Sequence, residues 1–352
     1  MNIEELMEML PEGYEEACRE KGAMRRKREI KNPQDLMKLC LIYLSQKCSL
    51  VEISEIARLM GIGEMSDVAF MKRFAKCGEW FKWILGQMTA NGITNYQKPK
   101  SMEGYDFVAL DASDIVEKGA SKRVFRLHYA INIFTMTSLE YKITTEQVGE
   151  SLTNFTIKPN YLVIADRAYG NKKGIEYCLE NGGNFIFRIK NKAFNLYDEN
   201  RKEINLLEEI KNATDKKAID KTVYMENSKK ELVELRVCAI RKTDEKIKES
   251  NKKLQRKEIR KQVAFSEETK KSHEYIFVIT SLPKSIGADE ILSAYRFRWQ
   301  IELYFKRLKS IMDLGDLPKK KDDGIIAWLH GKLIVALLLE KLLSDLDFSP
   351  SA

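Results

Sequence analysis

The chain has 352 residues, 44% hydrophobic and 32% charged, which is enough to bury the core of a large enzyme domain. Its net charge of +8 favours an anionic partner. Six scattered cysteines without CxxC spacing, beside only three histidines, argue against a zinc site and against a disulfide scaffold.

The opening MNIEELMEML lacks the basic-then-apolar plan of a signal peptide, so a cytosolic protein in a reducing compartment is expected. Residues 1–100 read as a helical, DNA-binding domain. DLMKLCLIYLSQKC (Asp35–Cys48) has helical apolar spacing, and Asn32-Pro33 supplies its start. The next stretch, from Ser49 to Leu85, breaks into short helices at Gly61 and Gly63. That pattern resembles a helix-turn-helix whose second helix would present Ser66, Lys72 and Arg73, though an ordinary helical bundle has the same spacing. The clusters RRKR (Arg25–Arg28) and PKKK (Pro318–Lys321) read first as solvated faces.

From about residue 104 the texture turns to β. YDFVALDAS, FRLHYAINIF, EYKITTEQV and YLVIADRAYG are strand-like, followed by a helical GIEYCLE and the strand NFIFRIK. This order predicts an α/β core with a mixed sheet, its first part spanning 101–190. Residues 191–274 read as an insertion that mixes strand-like ELVELRVCAI with the lysine-rich KIKESNKKLQRKEIRKQ. YIFVITSL from Tyr275 restores the core over 275–352. The apolar run from Ile325 is interrupted by His330, Lys332, Glu340 and Lys341, which predicts a buried C-terminal helix rather than a membrane span.

Three acids stand out against this background. Asp111 is expected to close the strand YDFVAL, and Asp166 the strand YLVIA, where the crevice of an α/β sheet lies. Asp106 lies too early and Asp114 past the strand. The third acid, Glu302, sits in YRFRWQIELYFKRLK, where Tyr295, Arg298, Glu302 and Lys309 follow at gaps of three, four and seven residues. On one continuous helix those four side chains share an arc roughly 60° wide. Convergent carboxylates repel one another unless a cation joins them, and a hard divalent ion such as Mg²⁺ prefers oxygen ligands.

The Y-x2-R-x3-E-x6-K spacing, together with VALDAS and VIADRAYG, resembles the insertion-sequence transposases of the IS-four family, DDE enzymes with an RNase H-like core. That resemblance covers about residues 100–340. It implies that Asp111, Asp166 and Glu302 are the catalytic metal ligands, for Mg²⁺ or Mn²⁺. It further implies that Tyr295, Arg298 and Lys309 hold DNA-end phosphates. Trp299 either stacks on a base or backs the helix as a core aromatic. Arg167 and Tyr169 would shape the loop of the second aspartate. A homodimer on paired ends is implied, acting on terminal inverted repeats and target DNA, with no membrane. The resemblance also implies an inserted β domain before Glu302 and, in members that make hairpins, an insertion tryptophan. Here the tryptophans are Trp80, Trp83, Trp299 and Trp328, which leaves Tyr224 or Tyr275 as substitutes. Family members often continue beyond the last apolar helix, so a shortened C terminus is expected. The rival functions are a binding protein that has lost catalysis and an RNase H-like nuclease outside transposition.

Overall fold

The computed structural model describes residues 3–26, 28–46, 48–89, 98–117, 124–134, 137–299, 301–302, 306, 316–317 and 322–345. Helices come first: α1 (Ile3–Glu8), α2 (Tyr14–Glu20), α3 (Pro33–Ser45), α4 (Leu50–Leu59), α5 (Asp67–Phe74) and α6 (Gly78–Thr89). Local caps fix their starts. Asn32 accepts the Asp35 N–H at 2.7 Å with Pro33 at the first helical position, and Ser49 with Glu52 closes a capping box. Phe70, Phe74, Trp80 and Phe81 of these helices are fully buried, in a core continuous with one face of the sheet.

The mixed α/β architecture expected from the sequence follows. Its strands are β1 (Asp106–Glu117), β2 (Val124–Asn132), β3 (Thr137–Thr145), β4 (Tyr161–Ala165) and β5 (Asn184–Arg188), with α7 (Lys172–Glu180) between the last two. Next come β6 (Leu196–Tyr197), β7 (Glu203–Ile204), α8 (Leu206–Ile210), β8 (Ile219–Glu226), β9 (Leu232–Arg241), α9 (Asp244–Lys261) and α10 (Glu267–Ser272). After β10 (Tyr275–Thr280) and α11 (Ala288–Arg296) come β11 (Asp316–Leu317) and α12 (Asp322–Asp345). One sheet joins the strands in the order β3-β2-β1-β4-β5-β10-β9-β8-β6-β7, with β11 set parallel on the far end of β1. β1, β4 and β5 are mutually parallel, while β2 and β3 return antiparallel beside β1.

Residues 191–274 therefore extend the same sheet through β8 and β9. Their lysine-rich stretch is the helix α9, which contains neither Gly nor Pro and buries only Ile247 and Leu254. β1 corrects one expectation: it does not close at Asp111 but runs on to Glu117, because β2 keeps pairing with it as far as Val116–Val124. α12 is buried against α3 and α6, with His330 Nδ1 2.9 Å from the Gly78 carbonyl oxygen. No helix among the described residues is long and apolar enough to cross a membrane.

Candidate active site

Parallel pairing brings the acids together. Ala109 pairs with Ile164, and Ile164 with Ile186. The same offsets one pleat further on set Asp111, Asp166 and Arg188 in a row across three strands. Side chains alternate between faces, and Phe107, Ala109, Leu162, Ile164 and Ile186 all belong to the core shared with the helices. The row therefore looks toward α11 and its continuation. Asp111 lies inside its own strand, yet past the end of its pairing with β4, so it still borders the crevice.

Burial pushes the Asp111 carboxyl up to about 6. The Ala112 N–H, donated to it at 2.9 Å, pulls the other way, and the neighbouring charge of Asp166 raises it further. Asp166 forms an Asx turn, accepting the Ala168 N–H at 2.8 Å, while its carbonyl accepts the Gly170 N–H at 3.2 Å. Gly170 is needed here for space. A Cβ at that position would stand 2.2 Å from the Arg188 carbonyl oxygen, so the Asp166 loop packs directly on β5.

Two neighbours of the row gave little sequence signal. Glu150, past β3 in TEQVGE, is held above the ordinary carboxylate range by partial burial and by Asp166. Tyr169 is fully buried with no hydrogen bond to its hydroxyl. Its phenol is raised by burial and then by Asp111, Glu150 and Asp166. The two rival aspartates are committed elsewhere. Arg126 holds Asp114 through two bonds of 2.7 and 3.2 Å, and Asp106 takes Lys98 and Asn160.

The stripe around Glu302 is assembled differently from the single helix expected. α11 ends at Arg296, and the chain passes through a tightened turn before it is helical again at Trp299. Arg298 N bonds Tyr295 O at 3.1 Å and Ile301 N bonds Arg298 O at 3.3 Å, both three-residue steps. Tyr295, Arg298 and Glu302 nevertheless stay together. The Arg298 guanidinium lies 5.9 Å from the Tyr295 ring centroid and grips Glu302 at 2.6 Å. Tyr295 is buried, its hydroxyl without a hydrogen bond, and burial raises its pKa. Trp299 is 50% exposed, which sets aside the core-aromatic alternative. Lys309 lies outside the described residues.

Asp111 and Asp166 thus come together, while Glu302 reaches the row only through Arg298, which also feels both aspartates. Among the described residues no three His, Cys, Asp or Glu side chains stand close enough to hold a metal ion. Two partly desolvated carboxylates, one already pushed toward protonation, still form a donor set that a hard cation would relieve. In the helical region Arg73 donates to the Ala23 and Arg26 carbonyls, both at 3.2 Å, and Ser66 caps α5. Lys72 alone of the three expected DNA-facing residues is exposed and uncommitted. Tyr275 is buried in the second core and is not available to stack on a base.

The transposase DDE domain family matches residues 102–338. The chain is 28% identical to the transposase for insertion sequence element IS421 of Escherichia coli, over 97% of this chain and 93% of that relative. It is 25% identical to the transposase for insertion sequence element IS231C of Bacillus thuringiensis subsp. berliner, over 94% of this chain and 77% of the relative.

Proposed function

Because the chain belongs to the transposase DDE domain family, we propose that it is a DDE transposase, cutting and joining the DNA ends of an insertion sequence by phosphoryl transfer. The observation that carries this is the pairing of Asp111 with Asp166 on one sheet edge, facing the Arg298–Glu302 pair. A protein that only bound DNA would have no use for two desolvated carboxylates side by side. On this reading β3-β2-β1-β4-β5 is an RNase H-like core, and residues 1–100 form a separate DNA-binding domain. Residues 191–274 are its insertion, and 275–352 complete the core.

Asp111, Asp166 and Glu302 would hold Mg²⁺, or Mn²⁺ in its place. When bound, the metal would make an attacking oxygen more nucleophilic and stabilise charge on the leaving one. The protein's own groups do the rest. Arg298 is mostly buried, so its charge is weakly screened and suits a backbone phosphate. As it turns to phosphate it releases Glu302, whose side chain is 55% exposed and free to swing toward the aspartates. Tyr295 and Lys309 add phosphate contacts, and Trp299 offers its exposed ring to a base at the cut end. Water would attack first, and the freed 3′-hydroxyl would then attack target DNA. Joining two ends requires a homodimer on paired terminal repeats, acting in the cytoplasm on the nucleoid.

The test is strand cleavage of an element-end duplex with Mg²⁺, comparing wild type with Glu302→Gln. Nicking should disappear while DNA binding is largely kept. Equal cleavage by both proteins would sink the assignment.

A further inference from the structure

We propose that Arg167, Arg188, Lys242 and His273 form a second phosphate-binding subsite, on the insertion's side of Asp166, that takes a DNA backbone phosphate next to the one being cut. It rests on the transposase reading and adds a site to it.

The four residues come from separate places in the chain. Arg167 follows Asp166, Arg188 ends β5, Lys242 follows β9, and His273 precedes β10. The sheet gathers them. Arg188 continues the Asp111–Asp166 row and pairs with Val278, which pairs with Cys238. Val278 and Cys238 lie in the helix-side core. Alternation along β9 then brings Lys242 to that same side, where its N–H bonds the Glu274 carbonyl at 2.8 Å.

These cations lack what normally stabilises buried cations. Arg167 and Arg188 make no hydrogen bond or ion pair among the described residues, and each buries its Nε out of reach of water. Arg236 shows the contrast. It is equally interior, yet it bonds Asp220 and the carbonyls of Leu282, Pro283 and Ile286. An arginine serving only the fold is surrounded by acceptors in that manner, whereas Arg167 and Arg188 face each other and Lys242.

The mutual repulsion shows in their protonation. Burial, then Arg188, pushes Arg167 down to about 10. Burial, then Arg188, Arg167 and Lys253 of α9, pushes Lys242 down to about 8, and burial with these cations lowers His273 as well. The acids nearby are engaged elsewhere. Glu274 and Asp244 both pair with Arg241, and Glu268 takes Lys192 and Asn191. Lys242 donates to Ser250 Oγ at 2.9 Å and to the His273 carbonyl, leaving one ammonium hydrogen unused.

Unpaired interior cations destabilise a fold unless an anion joins them. The forked donors of two arginines beside an ammonium match a phosphate. The unbonded Tyr295 hydroxyl lies where it feels both Arg188 and Arg298. It links this cluster to the cations beside Glu302, so neighbouring phosphates of one strand would lie along the two groups in turn.

The experiment is fluorescence anisotropy of the full chain on a labelled duplex carrying the element's terminal repeat and its flank. In the double variant Arg188→Gln/Lys242→Gln, the slope of log affinity against log salt should shrink by roughly one to two, at about 0.7–0.9 per phosphate contact. Its melting temperature should hold or rise, because like charges have been removed. An unchanged slope, or a fall in stability with DNA affinity intact, would overturn the subsite.

A pH series gives a second readout. Wild-type affinity should fall as pH rises through about 8, where Lys242 loses its proton. Lys242→Arg should keep the affinity and abolish that fall, whereas the same fall in Lys242→Arg refutes the role of Lys242. If Glu302→Gln loses nicking while the double variant keeps its full salt slope, the transposase reading stands and this subsite does not.

Discussion

Arg236→Met should destabilise the protein by several kcal/mol and loosen the approach to α11 without altering the acidic row. Arg236 is 3% exposed and ties β9 to β8 through Asp220, with Nε 3.1 Å from Oδ1. Its other nitrogens bond the carbonyls of Leu282 at 3.0 Å and Ile286 at 2.9 Å, together with that of Pro283. Those carbonyls belong to the segment that launches α11, and through it Tyr295 and Arg298. Methionine keeps most of the volume, so the loss is in hydrogen bonds. Removing one member of a buried charged pair costs about 3–5 kcal/mol, and the lower end applies because the side chain of Asp220 is 31% exposed and can rehydrate. At about 2 °C per kcal/mol for a chain of this size, the melting temperature should drop by roughly 6 °C. Hydrogen exchange should quicken across 282–296 and stay unchanged in β1 and β4. Adding Asp220→Asn should recover part of the loss by removing the stranded charge. A melting shift below about 1 °C, well under the smallest loss expected for a broken buried pair, would refute this account of what holds α11.

Other outcomes follow from the same geometry. Arg298→Ala should weaken end binding and lower its salt slope by about one, and unchanged affinity across salt would remove Arg298 from the DNA contacts. His128 is fully buried, and burial, then Arg126 and Lys142, lowers its pKa to about 4. It folds neutral, so its contribution is complete above the unfolded value near 6.5 and is lost as pH falls toward 4. From 6.5 to about 4, at 1.36 kcal/mol per pH unit, the loss reaches about 3 kcal/mol. Urea midpoints of wild type and His128→Gln should therefore converge as pH falls from 7 to 4.5, and parallel curves would contradict this.

What the sequence disclosed was local. Strand-like runs around Asp111 and Asp166 place both acids correctly, and the caps at Asn32 and Ser49 are readable because a side chain and its target lie within one helical turn. Where strands or helices are shaped by distant partners, the reading failed. β1 outlasts its expected end because β2 pairs along it, which YDFVALDAS alone does not encode. The break after Arg296 was invisible because the 3.6-residue pattern continues through it. The bonds of Arg236 to the 282–286 segment and the gathering of Arg167, Arg188, Lys242 and His273 depend on register across β4, β5, β10 and β9. Only Arg167 had drawn notice in the sequence, and then as part of a loop.

The account's central claim is that Asp111, Asp166 and Glu302 act as one set on one phosphodiester. The most direct measurement is single-turnover nicking of the element end in Mg²⁺ by Asp111→Asn, Asp166→Asn, Glu302→Gln and the Asp111→Asn/Asp166→Asn double variant, with DNA binding measured alongside. Groups that act as a unit lose their effect together, so each single variant should already fall to the background of the double while still binding DNA. Wild-type nicking by any single variant, or losses that multiply independently in the double, would contradict it.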